Sequence, residues 1–219
     1  MRSIWIWVGL AILVMLGGAL GWREYQSRET PAPQVLAEAE NLPMEVTAED
    51  RVLGRPDAPI TIIEYASLTC PHCANFHKNT LPKLQSEYID KGLARLVYRD
   101  FPLDKFALRA ATIARCAPPD QYFGLIELFF ENQKQWAGET DPAAALDRLA
   151  AVAGMDQATI EACLADQAKT DAIVSRAQDA QAKYQIESTP SFIINGRKVT
   201  GARSFESFQE FLKDMLPKS

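Results

Sequence analysis

The chain has 219 residues, a net charge of -5, and 47% apolar and 23% charged content, values ordinary for a globular protein large enough to bury a core. No stretch of clustered Lys and Arg offsets the acidic balance, which argues against a nucleic-acid partner held through its phosphates. One domain with an insertion fits this length.

Ile4 to Trp22 carries no charge, follows Arg2 and precedes the mixed pair Arg23 and Glu24. It reads as an export signal or a membrane anchor. As a helix of 19 residues it would span about 28 Å, close to the hydrocarbon thickness of a bilayer. Trp5, Trp7 and Trp22 would then lie at the interfaces. Gly17 and Ala19 leave the cleaved alternative open, because they form a small-x-small pattern a signal peptidase could use. Either reading puts the remainder outside the cytoplasm, in a bacterial periplasm or on the outer face of the inner membrane, with membrane contact through residues 4–22 if the segment stays uncleaved.

Residues 23–45 turn polar and contain Pro31, Pro33 and Pro43, as an extended linker would. The folded part is expected to begin near Val46. Ile60 to Ala66 is a β-rich run apolar enough for a central strand buried on both faces, with Glu64 its one charge. Cys70 to Tyr88 carries Phe76, Leu81, Leu84 and Tyr88 at helical spacing, interrupted by Pro82. Leu93 to Tyr98 reads as a second strand, completing a right-handed βαβ unit.

From about Leu103 to Gln185 no convincing strand occurs, and the Ala, Leu, Gln and Glu content predicts four or five helices. Asp141 with Pro142, and Asp156, are N-terminal caps, while Pro118 and Pro119 end the helix before them. Ser191 to Ile194 and Lys198 to Thr200 are short strands about Asn195-Gly196, the dipeptide of a tight hairpin. Ser204 caps a last helix whose Phe205, Phe208, Phe211 and Leu212 make an apolar face. The expected organisation is a sheet-bearing domain over 46–102 and 186–219, with a helical insertion at 103–185.

Cys70, Pro71, His72 and Cys73 form a C-x-x-C between a strand and a helix, the setting in which that motif is redox-active. Two intervening residues let the first helical turn bring both sulfurs within bonding distance, so the pair can cycle between dithiol and disulfide. Cys70 is expected at the exposed helix N-terminus, where free N–H groups and the macrodipole favour a thiolate, with Cys73 one turn deeper. His72 would add a positive charge or a donor beside that thiolate. Three other readings compete. Cys70, Cys73 and His77 could be three zinc ligands, although no fourth Cys or His is near. A structural disulfide closing so small a loop would remove little chain entropy. A Cys-His hydrolase needs a base from elsewhere in the fold, whereas His72 and His77 share the nucleophile's helix.

Strand, Cys70-Pro71-His72-Cys73, helix, helical insertion, and Thr189-Pro190 leading into a strand and hairpin closely resemble the DsbA-like thiol-disulfide oxidoreductases, from about Val46 to the C-terminus. The resemblance implies an α/β thioredoxin fold, a central mixed sheet flanked by helices with a helical-domain insertion. It makes Pro190 a cis-proline facing the cysteines, offers the Thr189 backbone to an extended substrate segment, and places Glu64 as a buried acid beneath Cys73 that manages its proton. Thr189 departs from the valine of the archetypal oxidase and is familiar from isomerase relatives. Those isomerases carry an N-terminal dimerisation domain, for which residues 23–45 are too few.

Cys116 and Cys163 lie in the insertion, and in an oxidising compartment an even cysteine count usually means pairing. A bridge closing about 48 residues would contribute on the order of 4 kcal/mol in the chain-entropy model; two unrelated buried thiols is the competing reading. The function expected is donation of the Cys70–Cys73 disulfide to reduced or unfolded exported proteins, with reoxidation by a membrane partner of the DsbB kind and no cofactor or metal. The alternatives are a membrane-fed disulfide reductase or isomerase, and a peptide holdase or metal-binding module.

Overall fold

The computed structural model describes residues 41–216. The expected signal or anchor at 4–22 lies outside the described residues, as does most of the expected linker. Among the described residues no helix is long and apolar enough to cross a membrane.

Five strands form one mixed sheet in the order β1-β3-β2-β4-β5. They are β1 (Arg51–Leu53), β2 (Ile60–Ala66), β3 (Ala94–Asp100), β4 (Ser191–Ile194) and β5 (Arg197–Thr200). β2 runs parallel to β3 and antiparallel to β4, while β1 and β5 close the two edges in antiparallel pairings. All seven residues of β2 are buried, which is why its sequence reads as a nearly continuous apolar run rather than an alternation. β3 lies one to two residues later than its sequence suggests. β1 is an addition, three half-buried residues too few to give a periodic signal.

Between β2 and β3 the chain forms α1 (Pro71–Asn79) and α2 (Leu81–Leu84), the latter running on into a π-helical turn over Gln85–Ile89. Pro82 starts a new helix at its first turn rather than bending a continuous one. Between β3 and β4 lie six helices, not four or five: α3 (Lys105–Cys116), α4 (Tyr122–Glu131), α5 (Gln133–Trp136), α6 (Pro142–Val152), α7 (Gln157–Ala165) and α8 (Gln167–Tyr184). The extra one is the four-residue α5. Asp104, Asp141, Asp156 and Asp166 each accept a backbone N–H at a helix start, so four of these six helices begin on an aspartate cap. α9 (Phe205–Lys213) starts on Ser204 in the same way.

The apolar side chains divide by sheet face. On one side Ile60, Ile62, Phe76, Phe192, Phe208 and Leu212 join β2, β4, α1 and α9. On the other, Ile63, Tyr65, Val97 and Ile193 pack beneath α8 and are also covered by Leu42, Met44 and Val46. Leu42 N donates to Gly196 O at 2.8 Å, so the stretch expected to be linker already joins the domain at Leu42. A third cluster, built from Phe129, Phe130, Trp136, Leu146 and Ile160 of the helical segment, extends to Leu68, Cys70, Cys73 and Ala74. The insertion is therefore packed directly against the cysteine motif. Asn195 and Gly196 take φ of 44° and 85°, the left-handed pair a two-residue hairpin turn demands.

Candidate active site

β2 delivers the chain to Ser67 at the end of the sheet, and α1 begins four residues later. The loop between is fastened at three points. Cys70 N donates to Ser67 O at 3.0 Å, Thr69 Oγ1 donates to Asp104 Oδ2 at 2.6 Å, and the buried Gln133 donates from Nε2 to Leu68 O at 2.8 Å and Cys70 O at 2.9 Å. Two of these anchors come from the helical segment. Neither Gln133 nor Asp104 stands out in sequence, because a glutamine on a helix and an aspartate cap are common on any surface.

Cys70 is the N-terminal cap residue of α1, with Pro71 in the first turn. Both cysteines are free thiols. Contrary to the exposed position expected, Cys70 is only 6% accessible, because Gln133, Thr189 and the helical cluster close over it. Cys73, a turn into the helix, is fully buried.

Opposite Cys70 the Thr189–Pro190 peptide bond is cis. The turn is fixed by Ser191 Oγ donating to Ser188 O at 2.7 Å and by Gly201 N donating to Pro190 O at 2.8 Å. The Cys70 thiol donates to Thr189 O at 3.2 Å. The Thr189 hydroxyl is buried and otherwise unpartnered, and it can donate to Cys70 once the thiol ionises.

The two sulfurs are driven apart in acidity. The Cys73 thiol donating to Cys70, and after it the Thr189 hydroxyl and the backbone N–H groups of Cys73 and His72, outweigh burial and bring the Cys70 pKa from 9.0 to about 5. Burial, the hydrogen bond given to Cys70 and the charge of Glu64 push the Cys73 thiol far up. Of His72, the backbone N–H is among these groups; its side chain is exposed.

Glu64 alternates with Ile60 and Ile62 on the α1 side of β2, and it is wholly buried rather than reaching water. His77 meets it there: Nε2 lies 3.1 Å from Oε2 and 3.2 Å from Oε1. A single charge in an otherwise apolar central strand needs a partner, and His77, four residues after Cys73 on the same helix face, is the one signal that could have found this pair. His77 is thus turned to Glu64 instead of joining the cysteines as a ligand, and among the described residues no group of three metal-binding side chains converges. Cys116 of α3 and Cys163 of α7 are joined in a disulfide with Cα atoms 6.1 Å apart, away from this site.

A mixed sheet whose central strand leads into a helix capped by one cysteine of a C-x-x-C, faced by a cis-proline, is the thioredoxin arrangement for thiol-disulfide exchange. The thioredoxin family model matches residues 46–214. The solved α-DsbA1 of Wolbachia pipientis is 34% identical, with a TM-score of 0.73 over 80% of this chain and 92% of that one. A Rickettsia bellii protein named as a protein-disulfide oxidoreductase is 30% identical over 152 residues, 69% of this chain and 59% of its own length. The Bacillus subtilis disulfide bond formation protein D is 25% identical over 170 residues, 75% of this chain and 76% of that one. The chain belongs to the thioredoxin family, and within it to the DsbA-like proteins. Its match spans about three fifths of the length of the Rickettsia bellii relative.

Proposed function

We propose that this chain is a protein-disulfide oxidoreductase that donates the Cys70–Cys73 disulfide to reduced proteins outside the cytoplasm. The observation that carries the reading is the seat of Cys70, which caps α1 and donates to Thr189 O beside the cis-proline, an arrangement that makes it far the more acidic of the two sulfurs. Only the reduced protein contains a Cys70 thiolate, and each unit by which its pKa drops below ambient pH favours the reduced form by about 1.4 kcal/mol, or roughly 30 mV towards a more oxidising potential. A Cys70 lowered to about 5 therefore biases the pair towards the dithiol and towards giving its disulfide away.

A client thiolate attacks Cys70 Sγ, the Cys70–Cys73 bond breaks, and Cys73 leaves and takes up a proton. The client's second thiolate then attacks its own sulfur in the mixed disulfide and releases Cys70 as thiolate. Thr189, beside Cys70 and before the cis-proline, offers its backbone to an extended client segment. Reoxidation falls to a membrane partner of the DsbB kind, and the apolar Ile4–Trp22 segment would bring the chain to that membrane.

The test uses the oxidised protein and a reduced, unfolded client. Client disulfides should form stoichiometrically with loss of the Cys70–Cys73 bond, Cys70→Ser should abolish exchange, and Cys73→Ser, given a client that already carries a disulfide, should be trapped as an adduct on Cys70. A potential as reducing as that of a general thioredoxin, about -270 mV, would overturn the oxidase reading in favour of a reductase. Equal adducts from both serine variants would overturn the assigned roles.

A further inference from the structure

The acidity of Cys73 creates a difficulty that Glu64 alone does not remove. A sulfur whose proton affinity is raised this far is a poor leaving group unless a proton reaches it as the disulfide opens, and that proton must leave again when the disulfide reforms. Glu64 is close enough for its charge to act on Cys73, yet it is as buried as that thiol, and any proton it passes on must be replaced.

His77 is placed to do so. Its Nε2 holds the Glu64 carboxylate, while Nδ1, on the other side of the ring, is buried and has no partner in the protein. The ring also lines a cavity of about 280 Å³ shared with Lys78, Gln85, Phe130 and the exposed carboxylates Glu127 and Glu131, space enough for several waters at about 30 Å³ each. Phe130 stacks on the imidazole at 4.2 Å, and Phe76 and Tyr98 meet it edge-on at 5.5 and 5.8 Å. Three aromatic rings thus pack against the imidazole.

The charged and titratable groups around it are few. β2 contributes Glu64, β3 contributes Tyr98, its own helix contributes Cys73 and Lys78, and α4 contributes Glu127 and Glu131. Lys78 is spent on Glu131 O at 2.9 Å. The path inward from solvent is therefore cavity, His77, Glu64, Cys73.

We propose that His77 is the proton relay of the buried thiol, moving one proton inward from the cavity water to Glu64 when the disulfide opens and one outward when it reforms. When a client thiolate breaks the bond, the Glu64 carboxylate passes to Cys73 Sγ a proton that it draws from His77 Nε2–H. Nδ1, which is buried at rest, takes one from a water admitted from the cavity, leaving the ring in its other neutral tautomer. When the oxidised partner accepts the electron pair of Cys70 and Cys73 attacks in turn, the proton retraces the route and the first tautomer returns. No ring rotation is required at any stage. His77 acts through Glu64 and is in this sense a positioning residue.

The inference rests on the exchange reaction proposed above, and the full chain tests both separately. Oxidised protein is opened with dithiothreitol and reduced protein is closed with oxidised glutathione, each at fixed probe thiolate concentration across the pH range. His77→Gln keeps a hydrogen bond to Glu64 but has no second site for a proton. Both rates should fall together by about a hundredfold, the lower end of what a positioned proton-transfer group contributes, with the exchange equilibrium constant within about threefold of the parent. Added imidazole should restore His77→Ala in proportion to its concentration. Unchanged rates in His77→Gln, or an equilibrium constant that moves as far as the rates with no response to imidazole, overturns the relay. A parent that reacts with neither probe defeats the exchange reading itself. Should neither substitution fold, the parent in deuterium oxide decides: slowing beyond that of a free thiol supports the relay, and its absence overturns it.

Discussion

At the scale of the residue, the tuning of Cys70 is a matter of which donors reach its sulfur. The first of these is the Cys73 thiol, followed by Thr189, with the His72 contribution arriving through its backbone N–H. Sequence reasoning assigns His72 a positive charge or a donor beside the thiolate; the side chain is exposed, so a charge there would act only through a screened, high-dielectric path. Cys73→Ala should therefore raise the Cys70 pKa more than His72→Ala does, read by thiolate absorbance during a pH titration of the reduced variants. The reverse order would restore His72 as the leading cause. The cysteine pair stood out as a rare residue type at a fixed offset in a strand-to-helix passage, whereas Pro190 and Glu64 were marked only by the family resemblance. His77 entered the sequence reading only as a possible zinc ligand, since its spacing places it on the Cys73 face of the helix but does not say which strand residue that face meets.

Elements decide how rigidly the cysteine loop is held. The helical segment reaches the loop through Gln133 and Asp104, and it is itself stitched by the Cys116–Cys163 bridge between α3 and α7. That bridge spans 47 positions of sequence, and removing such a closure costs about 2–5 kcal/mol. Replacing both cysteines with serine should lower the denaturant midpoint by that order while leaving the Cys70 pKa within error of the parent, because neither sulfur touches the active loop. A variant of undiminished stability, or one with a displaced Cys70 pKa, would contradict this. The long elements were readable from periodicity and caps: the aspartates at 141 and 156 and the serine at 204 start helices where they should. What escaped was short or tertiary. The three residues of β1 pair with Arg51 opposite Tyr98 through the sheet alone, and α5 is too brief to show a helical period.

For the whole molecule, the same acidities fix how stability depends on pH in each redox state. Cys70 falls from 9.0 to about 5 on folding. Between those values the unfolded reduced chain binds a proton that the native protein does not, so the stabilisation is complete above pH 9, shrinks by up to about 1.4 kcal/mol per pH unit on acidification, and is gone below pH 5. Cys73 works in the opposite sense, since its native pKa is raised: above its unfolded value the unfolded chain releases a proton that the native thiol keeps, and stability declines as pH rises further. The oxidised protein has neither term. The stability of the reduced form minus that of the oxidised form should accordingly climb between pH 5 and pH 9 and turn over beyond it. Denaturant unfolding of both redox forms at several pH values measures this gap directly. A gap that is flat, or that widens on acidification, would show that the Cys70 thiolate is not what favours the dithiol. Because opening the disulfide then releases a net proton from the two client thiols, one going to Cys73 and the other to solvent, client oxidation should become more favourable over the same rise in pH.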